Sequence, residues 1–260
     1  MPVTSEIPVS PHREVSLTAA DGVRLAARLR PVDTPRGAVV VAHGMSGSMD
    51  DDALTSTADA LERAGFAVVT YDARGHGRST GSCTLGELEC LDVAAAVEAA
   101  RQLSDTIYLV GASMGGIAVL RYAAGATGVA GVVTVSTPGE WELPRTARGL
   151  LAAGMTRSQV GRWVARRWLR VRLSPEWRGL DPPARLASTV EVPLAVVHGR
   201  SDRFVPAAAA HTLFSAAGGP SRLDLVRGMG HAYQQRAIAP IVAALEWAVG
   251  VRLRASLATT

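Results

Sequence analysis

Thr106-Ile107-Tyr108-Leu109-Val110-Gly111-Ala112-Ser113-Met114-Gly115-Gly116 decides the fold. Thr106–Val110 is a short apolar run that fits a buried strand, and Met114–Ala124 has helical composition. Between them Gly111-x-Ser113-x-Gly115 marks a sharp strand-to-helix turn. Such a turn needs small flanking residues because its backbone is crowded, and it lifts the serine hydroxyl off the end of a sheet. The helix N-terminus behind it favours developing negative charge. Ser113 is therefore a candidate nucleophile, with a passive serine in a glycine-rich turn as the plain alternative.

Outward from this turn, short Val-rich runs alternate with Ala-rich segments of helical period. Glu14–Ala20 and Val23–Leu29 flank Asp21-Gly22, a hairpin signal. Ala38–Ala42 fits a strand buried on both faces, Ala67–Tyr71 is the next buried strand, and Val129–Val135 is another strand. Asp50-Asp51-Asp52 opens a helix that carries Leu54, Ala58 and Leu61 and stops at Gly65. Thr84-Leu85-Gly86-Glu87 has capping-box spacing for a helix carrying Leu88, Leu91 and Ala95. Alternation breaks over residues 139–185. It resumes with Leu194–Val197, a helix from Pro206 to Ala217, Arg222–Val226, and a last helix from about Pro240 to Val249 with a frayed tail beyond Arg252. The expected architecture is an α/β fold. It has a mostly parallel sheet, an antiparallel N-terminal hairpin, helices on both faces and an insertion between two strands. Residues 1–260 are expected to form one domain, with 139–185 as a short helical cap.

A serine hydroxyl needs a base to take its proton. After a turn of this kind the acid and then the histidine follow along the chain. Asp202 stands in the loop after Leu194–Val197, and His231 in the loop after Arg222–Val226, so all three residues are expected at the carboxyl edge of the sheet. The oxyanion of acyl transfer needs two N–H donors. These are assigned to Met114, after the serine, and Met45, in the loop after Ala38–Ala42. His43 is expected to be buried and structural, and His76 to shape its loop. Asp72 and Arg74 are expected to bond each other or nearby backbone.

These motifs resemble the α/β-hydrolase superfamily over nearly the whole chain. They are His43-Gly44, Asp72-x-Arg74-Gly75-His76-Gly77-x-Ser79, Gly111-x-Ser113-x-Gly115, His198-Gly199-x-x-Asp202 and Gly230-His231. Residues 84–92 look like a bacterial subgroup of serine esterases and hydrolases, similar to monoglyceride-lipase-like and dipeptidyl-aminopeptidase-like enzymes. The resemblance implies a Ser113/His231/Asp202 triad and an oxyanion hole from Met45 and Met114. A serine rather than an aspartate at 113 argues against dehalogenases and epoxide hydrolases. In this superfamily the inserted segment forms a cap over the site.

The chain has 260 residues, 48% hydrophobic and 19% charged, with 27 basic side chains, 23 acids and two cysteines. This is a globular composition, and it excludes a disulfide framework. Every basic side chain is arginine. Residues 139–185 hold ten arginines against four acids, a charge of +6; the remainder, with 17 arginines and 19 acids, carries −2. Four of the five tryptophans, Trp141, Trp163, Trp168 and Trp177, fall in the same segment. Thr156–Leu173 fits an amphipathic helix with Val160, Trp163, Val164, Trp168 and Val171 on one face. Trp163 and Trp168 are candidates for an aromatic wall over the substrate. Arg167, inside that face, is a candidate for meeting an anionic group or for snorkelling outwards.

The expected function is hydrolysis of a carboxylic ester through an acyl-enzyme. A thioesterase or amide hydrolase with the same triad remains an alternative, as does a non-catalytic binding protein on the same fold. No metal ligand cluster, cofactor motif or nucleic-acid-binding module is found. Neither a signal peptide nor a membrane-spanning run is seen, which makes a cytoplasmic protein the default.

Overall fold

The computed structural model describes residues 12–141, 158–176 and 181–258. Eight strands form one sheet in the order β1-β2-β4-β3-β5-β6-β7-β8. They are β1 Arg13–Thr18, β2 Arg24–Arg30, β3 Ala38–Ala42, β4 Ala67–Tyr71, β5 Ile107–Ala112, β6 Val129–Val135, β7 Leu194–Gly199 and β8 Ser221–Val226. β1 and β2 are antiparallel around Asp21-Gly22, and β2 adds antiparallel to β4. The other pairings are parallel. The expected order of strands and the hairpin are present. Strand order reverses at β3, which has β4 on one side and β5 on the other, and open α/β sheets bind ligands outside the carboxyl ends of the strands at such a reversal.

The helices are α1 Asp52–Arg63, α2 Glu89–Arg101, α3 Met114–Ala123, α4 Gln159–Val164, α5 Pro183–Ser188, α6 Ala208–Ala216 and α7 Gln235–Ala258. Successive strand residues face opposite sides of the sheet, so each central strand feeds two cores. Val39, Val41, Val68, Val110, Val133 and Val197 pack with Leu54 and Leu61 of α1 and with Ile241 and Leu245 of α7. Val40, Val69, Leu109, Val132 and Val196 pack on the other face with α2, α3, α5 and α6, through Val97, Ile117, Leu186 and Leu213. The strands read as unbroken apolar runs because both faces are covered.

Three expectations are corrected. The last helix does not end near Val249 but runs to Ala258. The buried face of α2 is not Leu88, Leu91 and Ala95. It is Asp92, Val93, Ala96, Val97 and Ala100, led by a buried Glu89. Glu89 rather than Glu87 organises the turn: its carboxylate accepts from the Thr84 and Gly86 amides (2.7 and 2.8 Å) and from the Thr84 hydroxyl (2.6 Å). Periodicity points the other way because a buried carboxylate counts as a surface residue in any apolar pattern.

The inserted segment also departs from the continuous amphipathic helix expected over Thr156–Leu173. α4 passes into a π-helical turn, Ala165–Leu169, which ends at Arg170 in the left-handed region (φ 56°). Residues 171–174 are then extended and bridge to Cys83. The residues turned to the body are Gly161, Ala165 and, in part, Leu169, four apart. Val160, Trp163 and Trp168 stand 73%, 63% and 74% exposed. Gly161 and Ala165 let this stretch lie close on the body while Val160, Trp163 and Trp168 are left outside; of the expected face Val171, beyond the π-helical turn, is the member that is fully buried. Arg145, Arg148, Arg157, Arg178, Glu142 and Trp177 lie outside the described residues.

Candidate active site

Ser113 follows β5 and precedes α3 with φ 50° and ψ −114°. A non-glycine residue held there is strained. Closeness of packing explains the flanking glycines. A Cβ on Gly111 would fall on the Gly115 carbonyl, and one on Gly115 on the carbonyls of Ala42 and His43. The turn is thus wedged between its own helix and the end of β3, and Ser113 N–H donates to Val135 O of β6 (2.8 Å).

Asp202 and His231 meet across the ends of β7 and β8. His231 Nδ1 donates to Asp202 Oδ2 at 2.8 Å. Asp202 Oδ1 accepts from the Phe204 and Val205 amides (2.8 and 3.0 Å). The Asp202 side chain is wholly shielded from solvent, whereas His231 is 23% exposed. Burial alone raises the carboxyl's pKa. The His231 bond, the His231 charge and the two amides outweigh it and hold Asp202 below the usual carboxylate range. The loop bearing His231 reaches back to the elbow: Tyr233 OH donates to Ala42 O at the end of β3 (3.1 Å), and Ala42 pairs in register with Gly111. Three chain segments therefore converge on one edge. Among the described residues no hydrogen bond joins the Ser113 hydroxyl to His231.

Met114 opens α3, where a helical N–H has no partner within its helix. Met45 sits in the loop after β3. Gly44 brings that loop against the elbow, since a Cβ there would lie 3.3 Å from both Ala112 O and Ser113 Cβ. His43 and His76 support the loop from beneath. His43 Nδ1 donates to Gly44 O (2.8 Å), and its Nε2 accepts from Ala73 N (2.9 Å). His76 Nδ1 donates to Arg74 O (2.9 Å), and its Nε2 accepts from Ser46 N (3.4 Å). Both rings are buried. Burial lowers both pKa values, that of His76 to about 4 with help from neighbouring His43. Both act as neutral acceptors, as their structural assignment requires. Asp72 bonds backbone as expected, accepting from Met49 N and Arg78 N (both 2.9 Å). Arg74 pairs not with Asp72 but with Asp92 and Asp21 (both 2.7 Å).

Two residues near the pair were given no role from sequence. His198 is fully buried at the end of β7, with Nε2 3.1 Å from Val205 O and 3.6 Å from Asp202 Oδ2, and its Nδ1 is unpartnered. Phe204 lies over His231 with ring centroids 5.1 Å apart. The His198-Gly199-x-x-Asp202 spacing was the available signal for the first; the second follows from a loop fold that no local pattern encodes. Trp163 and Trp168 are too exposed to line an enclosed pocket, and Arg167 lies over the Trp168 ring at 5.8 Å. Among the described residues no group of His, Cys, Asp and Glu could hold a metal ion, and no helix is long and apolar enough to cross a membrane.

The sheet order with its switch point, the strained serine turn and the shielded Asp–His pair define the class: this is an α/β-hydrolase. Residues 33–179 match the family described as serine aminopeptidase, S33, and the chain belongs to that family. Ser113 lies inside the matched stretch, while Asp202 and His231 lie beyond it. The uncharacterized protein Rv2307c of Mycobacterium tuberculosis is 31% identical over 236 residues, covering 88% of this chain and 76% of that one. The Pyrococcus furiosus esterase Pf2001 shares the fold at TM-score 0.71 and 21% identity, over 93% of this chain and 90% of its own. XC6422 of Xanthomonas campestris, described as an α/β serine hydrolase without lid, does so at TM-score 0.62 and 22% identity, over 93% and 96%.

Proposed function

We propose that the protein is a serine hydrolase that cleaves a carboxylic ester of a small molecule through an acyl-enzyme. Ser113 Oγ attacks the carbonyl carbon while His231 Nε2 takes its proton. Asp202 holds Nδ1–H and stabilises the imidazolium that forms. The amides of Met45 and Met114 receive the oxyanion. The intermediate collapses, His231 returns the proton to the leaving alcohol, and a water deprotonated by His231 releases the acid and restores Ser113. These steps ask no metal or cofactor of the chain. Residues 139–185 act as a helical cap within a single domain.

The observation that carries this proposal is the 2.8 Å bond from His231 to a solvent-shielded Asp202 at the sheet edge that bears Ser113. The esterase among the structural relatives supports an ester substrate. The family description, which names an aminopeptidase, makes an amide the second choice.

Labelling with a fluorophosphonate, followed by a panel of nitrophenyl esters, acyl-coenzyme A thioesters and anilides, tests the proposal. The native protein should label and Ser113→Ala should not, with a loss in kcat on the order of 10⁴–10⁶. An unlabelled native protein would overturn catalysis by this serine and favour a binding role. Faster turnover of thioesters or anilides than of esters would overturn the ester assignment.

A further inference from the structure

We propose that the described stretch of the inserted segment, residues 158–172, is a peripheral docking surface for an anionic lipid bilayer. An amphipathic segment normally turns its bulky apolar residues inward. Here Val160, Trp163 and Trp168 are 63–74% exposed, and Gly161 and Ala165 take the inward places. Arg166, Arg167 and Arg170 are exposed on the same short stretch. Among the described residues none of these three pairs with a carboxylate.

Geometry joins the two sets. The turn at Ala165–Leu169 is π-helical, with Arg170 N–H donating to Ala165 O five residues back. That turn carries Arg166, Arg167 and Trp168, and Trp163 stands in the helical turn just before it. Arg167 lies over the Trp168 ring at 5.8 Å, so cation and indole form one unit. Tryptophan prefers the headgroup level of a bilayer, where its ring is apolar and its N–H is wet. Arginine beside it meets anionic headgroups.

Charge selects the occupant. Residues 158–172 hold five arginines and no acid, whereas the chain outside 139–185 carries −2. A second copy docked through the same face would bring two such segments together, which like charge opposes. Side chains exposed by more than 60% protrude rather than line a groove, and a flat surface suits them better than a peptide does. No helix among the described residues is long and apolar enough to span a bilayer, so contact would be interfacial.

The surface also lies on the side of the molecule that bears Ser113. Arg172 N–H donates to Gly75 O (2.9 Å), and Cys83 N–H donates to Arg172 O (2.7 Å). Cys83 Sγ in turn lies 3.4 Å from Met114 Sδ. A bilayer held there would face the carboxyl edge of the sheet.

Co-sedimentation with phosphatidylcholine vesicles, with or without about a third phosphatidylglycerol, tests this, alongside tryptophan emission and sedimentation equilibrium without lipid. The full chain should sediment with the anionic vesicles only, with emission shifted to the blue, and added salt should release it. Each arginine is worth about fivefold in partitioning, so Arg166→Gln/Arg167→Gln should lose about 25-fold. Trp163→Ala/Trp168→Ala should abolish the blue shift. Both variants change exposed side chains and should melt with the parent. The proposal fails if anionic vesicles do not bind, if both variants bind like the parent, or if the chain dimerises through this face without lipid. None of these outcomes depends on activity, so the catalytic proposal stands or falls separately.

Discussion

His198 and Asp202, four residues apart in the chain, are packed so that His198 Nε2 lies 3.1 Å from Val205 O and 3.6 Å from the carboxylate oxygen that receives His231. The loop carrying Asp202 is closed on itself from both ends. Amides 204 and 205 bind one carboxylate oxygen, and a buried histidine holds the carbonyl of 205. Replacing His198 by Phe should remove that hold. We expect kcat on a nitrophenyl ester to fall about tenfold with little change in KM, since orientation of Asp202 rather than substrate contact is lost. His198→Gln, which can still donate from near the Nε2 position, should recover most of it.

Asp202→Asn removes the charge that stabilises the His231 imidazolium and offers His231 a donor in place of an acceptor. A loss in kcat on the order of 10⁴ is expected. Steady-state kinetics beside a melting curve would separate this from unfolding.

His76 supplies a stability test with a defined sign. Its folded pKa is lowered to about 4 by burial and by His43, whereas an unfolded histidine titrates near 6.5. Between those values the unfolded chain binds more protons, so this site costs stability as pH falls, by up to about 1.4 kcal/mol per pH unit. His76→Gln should therefore close its stability gap to the parent on going from pH 7 to pH 5, read by urea titration. A constant gap would argue that His76 is not buried in the neutral form.

Glu89 should matter to stability and not to chemistry. Its carboxylate satisfies two amides and a hydroxyl in a turn where Leu85 and Gly86 have φ of 59° and 98°. Glu89→Ala leaves those donors buried and unpaired, and about 3 kcal/mol should be lost. Thermal and urea unfolding would measure it.

The strands, the hairpin and the serine turn are legible in the chain because their signals are local. A β-branched run, a glycine beside a serine and an Asp-Gly pair each act within a few residues. His43 and His76 were also readable as structural, since each stands in a tight loop at a strand end. The face of α2 and the face of residues 158–170 were not. In both, periodicity points one way and packing goes the other: a buried Glu89 and Asp92 replace leucines in α2, and glycine and alanine replace tryptophan at the contact of the inserted segment.

The sequence by itself determined the α/β order, the serine turn and the order in which Asp202 and His231 follow it, because short-range sterics and turn chemistry write those features directly. Tertiary structure alone decided that Asp202 is shielded while His231 is partly open, that His198 closes the loop carrying Asp202, and that Trp163 and Trp168 face outward. The physical reason is that these depend on contacts between segments brought together only when the sheet forms, whose energies no local pattern records.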